Sequence, residues 1–158
     1  MLKIVSLNDD FRPWAHDLLD RLWGLPGIVT RGKLHNTSKL SGFVAIENTE
    51  PTGLITYLCE RNECEIISLN SLKEKIGVGT ALIEKITREA QINKCKRIVV
   101  ITTNDNTYAL RFFQKRGFHI HEIYPDALVV SRKLKPTIPL IGIHGIPLCD
   151  EIELEILL

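Results

Sequence analysis

Between Gly42 and Thr102 the apolar pattern of the chain changes character twice. Gly42 to Glu47, Gly53 to Glu60 and Cys64 to Leu69 read as three strands. The gaps between them are short: Asn48 to Thr52 with Pro51, then a turn at Arg61-Asn62-Glu63. Gaps of that length join antiparallel neighbours, so the three form a meander. Then Val78, Leu82, Ile86 and Ala90 recur at four-residue intervals, with Ala81 and Ile83 beside them. That spacing predicts an amphipathic helix. Lys94, Lys96 and Arg97 follow it, favourable to its C-terminal dipole. Arg97 to Thr102 is a continuous apolar strand of the buried kind.

The flanks fit around this centre. Leu2 to Ser6 reads as a strand, and Asn8-Asp9-Asp10 can cap a helix with Pro13 near its start. Phe11, Trp14, Ala15, Leu18, Leu19 and Leu22 supply its apolar face, and Gly24 with Pro26-Gly27 ends it. Ile28 to His35 is expected to be one strand, followed by a polar loop at Asn36 to Lys39. Asp105 is expected to cap a further helix through Arg116, stopped by Gly117, with a strand from Phe118 to Tyr124. In Glu151-Ile152-Glu153-Leu154-Glu155-Ile156 acidic and apolar residues alternate, predicting a strand with its acidic face in water. The segment of about 125–149 holds Pro136, Pro139 and Pro147, with a helical turn or two expected over Asp126 to Leu134. A connection that long is often functional.

Composition narrows the function classes. A chain of 158 residues has the length of one domain. A net charge of +1 is no nucleic-acid signature, and no apolar run is long enough for a membrane span. The N-terminus lacks the pattern of a signal peptide, so the expected compartment is the cytoplasm. All 20 basic residues lie at or before Lys135, against 15 of the 19 acidic ones, which suits an anionic small ligand. The four cysteines include no C-x-x-C, and no ligand spacing implies a metal. His119 and His121 share one strand face, where exposure is expected rather than a two-ligand metal corner.

The chemistry concentrates at Leu69-Asn70-Ser71-Leu72-Lys73-Glu74-Lys75-Ile76-Gly77-Val78-Gly79-Thr80, which joins a strand to a helix. Two glycines at the turn let consecutive N–H groups face one anion, backed by the helix N-terminus. Thr80 adds a hydroxyl, and Lys73 and Lys75 add charge. A phosphate or pyrophosphate site is expected. Thr80 stands where a Walker loop needs lysine, and the preceding antiparallel meander argues against a dinucleotide fold.

A second stretch, Thr102 to Phe118, runs from the buried strand into a helix that ends at Gly117-Phe118. Taken together, the two stretches resemble the GNAT superfamily of acetyl-CoA-dependent N-acetyltransferases. The family's [Q/R]-x-x-G-x-[G/A] maps onto Glu74 to Gly79, and its N-x-x-A-x-x-x-Y-x-x-x-G-F onto Asn106, Ala109, Phe113, Gly117 and Phe118. The resemblance implies a mixed α/β fold with a mostly antiparallel central sheet, helices on both faces and a V-shaped splay between two central strands. It implies one N-acetyltransferase domain over residues 1–158, with the insertion at about 125–149 on the acceptor side.

The resemblance also assigns roles. Acetyl-CoA would be the cosubstrate, held by Lys75, Ile76, Gly77, Val78, Gly79 and Thr80, with Leu69 and Asn70 pairing its pantetheine arm. Asn106 and Phe113 would lie along that arm. Glu65, near the start of the central strand, is the candidate base for the amine. Phe113 stands where many members have a tyrosine that protonates the thiolate, so Tyr108, another group or water takes that task, or the step needs no acid. Glu74 replaces a basic or amide residue, with Lys73 and Lys75 beside it. The acceptor would be an amine on a small molecule or a protein, and a homodimer is possible. The rival readings are a non-catalytic CoA-binding or sensing module and a nucleotide-binding protein of another fold.

Overall fold

The computed structural model describes residues 1–74 and 77–158. The strands are β1 (Leu2–Ser6), β2 (Ile28–Thr30), β3 (Lys33–His35), β4 (Ser41–Glu47), β5 (Glu50–Glu60), β6 (Glu63–Ser71), β7 (Arg97–Thr103), β8 (His119–Tyr124) and β9 (Glu151–Leu157). The helices are α1 (Arg12–Trp23), α2 (Val78–Ile92), α3 (Thr107–Gln114) and α4 (Ala127–Leu134). Seven strands form one sheet in the order β1-β4-β5-β6-β7-β9-β8, and β2 and β3 form a separate hairpin. Among the described residues only β6 and β7 pair in parallel, joined by the crossover through α2, so the sheet is mixed and mostly antiparallel as expected.

Strand alternation builds two different cores. On β4, Phe43 and Ala45 face the layer that holds Val78, Leu82, Ile86 and Ala90 of α2 and Phe113 of α3. Val44 between them faces the other way, against Ala15, Leu18 and Leu19 of α1. Each leucine or isoleucine fully buried in these layers contributes about 1.5–3 kcal/mol relative to exposure. Helices therefore cover both faces.

Several boundaries differ from the sequence reading, each for a local reason. The expected strand Ile28 to His35 is a hairpin, turned at Arg31 and Gly32, which both take positive φ. Asn106, not Asp105, caps α3: its side chain accepts the Ala109 N–H at 3.0 Å. Asp105 is buried and accepts from the Thr103 hydroxyl and the Ile143 N–H. The largest correction concerns β9. Its acidic face is not in water: Glu151, Glu153 and Glu155 are 2%, 1% and 6% exposed.

Residues 125–149 fold as α4 and a loop tied down by hydrogen bonds. Arg132 donates to the carbonyls of Ile138, Pro139 and Leu148. Asn104 accepts from the N–H groups of Cys149 and Asp150 and donates to the Pro147 carbonyl at 2.8 Å. Buried Lys135 donates to the carbonyls of Trp23 and Gly27. The segment thus bridges the end of α1 and the β7–α3 junction. Leu128 and Leu148 are buried by it, whereas Leu140 and Ile141 stay exposed, so polar contacts rather than apolar cover hold most of it. Among the described residues, no helix is long and apolar enough to cross a membrane.

Candidate active site

The site begins where the sheet opens. Glu63 to Ile66 of β6 pair with Arg97 to Val100 of β7, and the pairing stops there. Beyond Ile66, β6 continues to Ser71 alongside β5, while β7 stays with β9 to Thr103. Ile67 helps to start the divergence: the β5 register shifts from Thr56↔Ser68 to Tyr57↔Ile66, leaving Ile67 as an extra residue. Such a bulge bends its strand and interrupts the ladder. Leu69 and Asn70 lie on this splayed segment, half-buried. Among the described residues, nothing donates to the Asn70 side-chain oxygen, although it is sealed from solvent. A buried acceptor left so costs free energy, which a ligand N–H would recover. The residues present therefore fit an amide-bearing arm.

Helix α2 opens beside the same gap. Among the described residues its first intrahelical bond runs from the Ala81 N–H to the Gly77 carbonyl at 2.9 Å, and the N–H groups of Val78, Gly79 and Thr80 lie ahead of it. They are donors available to an anion. Gly77 sits in the left-handed region at φ 79, which favours glycine. Gly79 serves another purpose. A Cβ there would meet the Phe112 ring at 2.9 Å, so its absence lets α2 and α3 approach. The Val78 side chain is core, leaving only its backbone for a ligand. The Thr80 hydroxyl accepts from Arg116 at 3.0 and 3.2 Å, and the same guanidinium stacks 3.6 Å from the Phe112 ring. Arg116 thus brings a cation to the helix start, a role the sequence reading did not give it. Lys73 donates to Glu47 at 2.9 Å and Glu74 is exposed; Lys75 and Ile76 lie outside the described residues.

Phe113 and Tyr108, the other two residues singled out in this region, have contrasting surroundings. Phe113 is 5% exposed and packs edge-on to Phe112 and Phe118 at 5.1 and 5.2 Å, so it belongs to the core rather than to an open arm-binding surface. Tyr108 is 63% exposed and its ring tilts against His144 of the insertion, 5.4 Å away.

The opposite side of the opening carries carboxylates. Glu65 is buried, with one oxygen accepting the Thr30 hydroxyl at 2.8 Å and the other 3.0 Å from the Arg31 guanidinium. His35, also buried, shares the Thr30 hydroxyl at 2.7 Å. Burial lowers the His35 pKa against the pull of Glu65. Arg31 also reaches Glu63 and Glu153, and Arg97 binds Glu63, Glu153 and Glu155. Burial opposes ionisation of Glu63, but the Arg31 and Arg97 hydrogen bonds prevail and hold its pKa below the usual range. The hydrogen bond from Arg97 does the same for Glu155. His119 and His121 meet Glu155 at 3.4 and 3.2 Å, so the histidine face joins this ion-pair layer. Glu151 differs: among the described residues it accepts only the Arg31 backbone N–H, at 3.1 Å, and burial pushes its carboxyl up.

Two cavities open beside these carboxylates. One of about 420 Å³ is lined by Thr30, His35, Leu58, Glu63 and Glu65 with Lys33 and Arg61 at its rim. The other, about 250 Å³, lies between the end of α1, β2 and the insertion; Trp23, Ile28, Leu128, Ile138 and Leu148 wall it, with Thr103, Lys135 and Glu151 as its main polar groups.

A strand pair splayed beside a glycine-led helix start, with an acid-lined cavity across the gap, is the architecture of an acyltransferase of the GNAT type. The sequence model of the acetyltransferase (GNAT) family matches residues 5–118, and the chain belongs to that family. It is therefore an acetyltransferase with acetyl-CoA as cosubstrate. Protein YdhI of Bacillus subtilis (strain 168) is 39% identical over 153 residues, covering 96% of each chain. YxbD of the same organism is 42% identical over 133 residues, 84% of each. Among solved structures, an IAA acetyltransferase from Bacillus cereus ATCC 14579 superposes with a TM-score of 0.77 at 22% identity over 100% of both chains. A Bacillus subtilis acetyltransferase in complex with CoA gives 0.71 at 21% identity, over 100% of this chain and 99% of that one. These structural likenesses establish the fold.

Proposed function

We propose that the protein moves the acetyl group of acetyl-CoA onto a primary amine by direct attack, and that residues 1–158 act as one domain with 125–149 as an insertion on the acceptor side. The observation that carries this reading is the opening between β6 and β7, with the first N–H groups of α2, unpartnered among the described residues, on one side and a cavity that holds the Glu151 carboxylate on the other. In this reading the pyrophosphate lies on the loop that ends in Gly77 to Thr80, where the helix N-terminus favours negative charge. The pantetheine arm runs along Leu69 and Asn70 as an added strand. A backbone N–H of the splayed segment stabilises the oxyanion. Asn106 spends its side-chain oxygen on capping α3 and keeps its amide N–H₂ for the arm. The thiolate leaves without a protein acid, since Phe113 has no proton to give and a thiol pKa is modest.

The acceptor amine would come from the insertion side, through the cavity that Leu128, Ile138 and Leu148 help to wall. The test is a panel of amines with acetyl-CoA, followed by release of free thiol and by mass gain on the amine. Acetyl-CoA bound without turnover of any amine would support a sensing module and overturn the proposal.

A further inference from the structure

We infer that Glu151, and not Glu65, takes the proton from the acceptor amine. The inference rests on the N-acetyltransfer reading above and names the base for that site. Two buried carboxylates stand close to the opening, and their surroundings fit them for different work. Glu65 has both oxygens engaged, by the Thr30 hydroxyl and the Arg31 guanidinium. An incoming amine proton would have to displace the Thr30 hydroxyl or the Arg31 guanidinium to reach either oxygen. Glu151 has no side-chain donor on it among the described residues; it accepts the Arg31 backbone N–H. It lines the mostly apolar cavity of about 250 Å³. It also pairs in register with Thr103, three residues past the last β6–β7 pair, where the thioester would enter.

The other groups that face Glu151 leave this role open to it. Tyr124 stands opposite on β8, but its hydroxyl donates to Glu153 at 2.9 Å. Lys135, across the cavity, is spent on the carbonyls of Trp23 and Gly27. Arg31 directs its guanidinium to Glu63, Glu65 and Glu153. Burial and the nearby Glu65 charge both raise the Glu151 carboxyl, which moves it toward the range a base needs at neutral pH.

The step balances simply. The acceptor ammonium gives one proton to the Glu151 carboxylate, and its lone pair forms the N–C bond to the thioester carbonyl. The tetrahedral intermediate collapses, the C–S bond breaks, the second nitrogen proton reaches the departing thiolate through water, and Glu151 returns its own proton to solvent. Because the cavity walls are apolar, the fitting acceptor carries its amine on an apolar stem.

The test uses the full chain with acetyl-CoA and a panel of alkyl, aryl and polyamine primary amines. Glu151→Gln keeps an acceptor for the Arg31 N–H. It should lower kcat about 100-fold or more while the KM for acetyl-CoA stays within about threefold. The wild-type kcat/KM should lose its acid limb in that variant. Glu65→Gln should keep that limb and lose less than about tenfold. Should Glu151→Gln fail to fold by circular dichroism, the wild-type profile decides: a limb within the ordinary carboxylate range overturns the inference, and one above it that persists in Glu65→Gln supports it. If Glu65→Gln instead loses the limb and Glu151→Gln keeps it, Glu65 is the base and N-acetyl transfer still stands. If the wild type acetylates no amine, the transfer reading itself fails, and this inference with it.

Discussion

The two faces of the sheet around β7 and β9 are both withdrawn from water, the acidic one more fully, and are held by opposite means. Ile152, Leu154 and Ile156 point into an apolar layer with α2 and α3. Glu151, Glu153 and Glu155 alternate with them and point into a layer of arginines, histidines and other carboxylates. An apolar layer tolerates truncation in proportion to the volume lost. A buried ionic layer does not, because removal of one partner strands charges that neither water nor another group can solvate. The first face is a stabilising device. The second is a network of paired charges, and it lies against the two cavities.

The largest effect expected from this difference is at Arg97. Arg97→Met would leave Glu63, Glu153 and Glu155 without their shared partner. The expected loss is about 3–5 kcal/mol of unfolding free energy in urea. Leu154→Ala, on the apolar side of the same strand, is expected to cost about 2–5 kcal/mol. An Arg97→Met loss under about 1 kcal/mol would show that the acid face is hydrated after all, and the contrast between the faces would collapse.

The same contrast should be visible in pH. Glu63 and Glu155 are held below the ordinary carboxyl value of 4.5, so their stabilising contribution is complete above that value. It is lost as pH falls through the lower folded values. Glu151 runs the other way: with its pKa raised, it favours the fold when protonated, and that contribution fades as pH rises through the raised value. Two depressed groups against one raised group predict a net loss of stability on acidification. The urea midpoint should fall as pH drops below 4.5, and less so in Arg97→Met, where Glu155 loses the main cause of its shift. A midpoint indifferent to acid would mean that these ion pairs contribute nothing.

How much of this was legible beforehand depended on what each pattern encodes. The meander, the crossover helix and the buried strand β7 were readable because periodicity reports which face is dry. The acidic face of β9 was misread for the same reason. Alternation of Glu with Ile and Leu says that the two faces differ, not that one is wet; Arg31, from a hairpin far away in sequence, covers Glu151 and Glu153, and Arg97 covers Glu153 and Glu155. Arg31-Gly32, both at positive φ, turns that hairpin within a run whose apolar pattern alone predicts a single strand. The loop ahead of α2 was legible from its glycines, but their separate tasks were not. Gly77 answers to backbone conformation and Gly79 to a phenylalanine on another helix. Glu151 carried no local signal of its role. Its setting, one carboxylate in a small apolar cavity beside the splay, exists only in three dimensions.

Those separate tasks give a smaller, sharper test. Gly77→Val would place a branched side chain at φ 79, with open space around it. Local strain of about 1–2 kcal/mol is expected. The stronger effect should be on CoA, whose affinity should fall about tenfold or more as the donors of α2 are screened. Gly79→Ala should do the reverse, displacing α2 from the Phe112 ring and losing stability before it loses binding. Calorimetric titration with CoA beside urea unfolding separates the two. Unchanged CoA affinity in a folded Gly77→Val variant would remove the phosphate from this loop.

The smallest effect is expected at Phe113, where the apolar face comes nearest to the proposed chemistry. The ring sits edge-on between Phe112 and Phe118 and is almost fully buried. Phe113→Tyr adds a hydroxyl to that layer, and an unpartnered buried hydroxyl costs about 1–3 kcal/mol. It introduces the tyrosine of the GNAT motif at this place, so it asks directly whether the step lacks a proton donor. If the thiolate leaves unaided, turnover should change less than about tenfold, because no essential role stands vacant. Stability would then move more than rate, the mark of a residue that belongs to packing. A rate gain well beyond tenfold, with stability unchanged, would mean that the hydroxyl has found the thiol. Phe113 would then belong to the reacting side of the molecule, and the line drawn here between an apolar face that only holds and an ionic face that reacts would have to be moved.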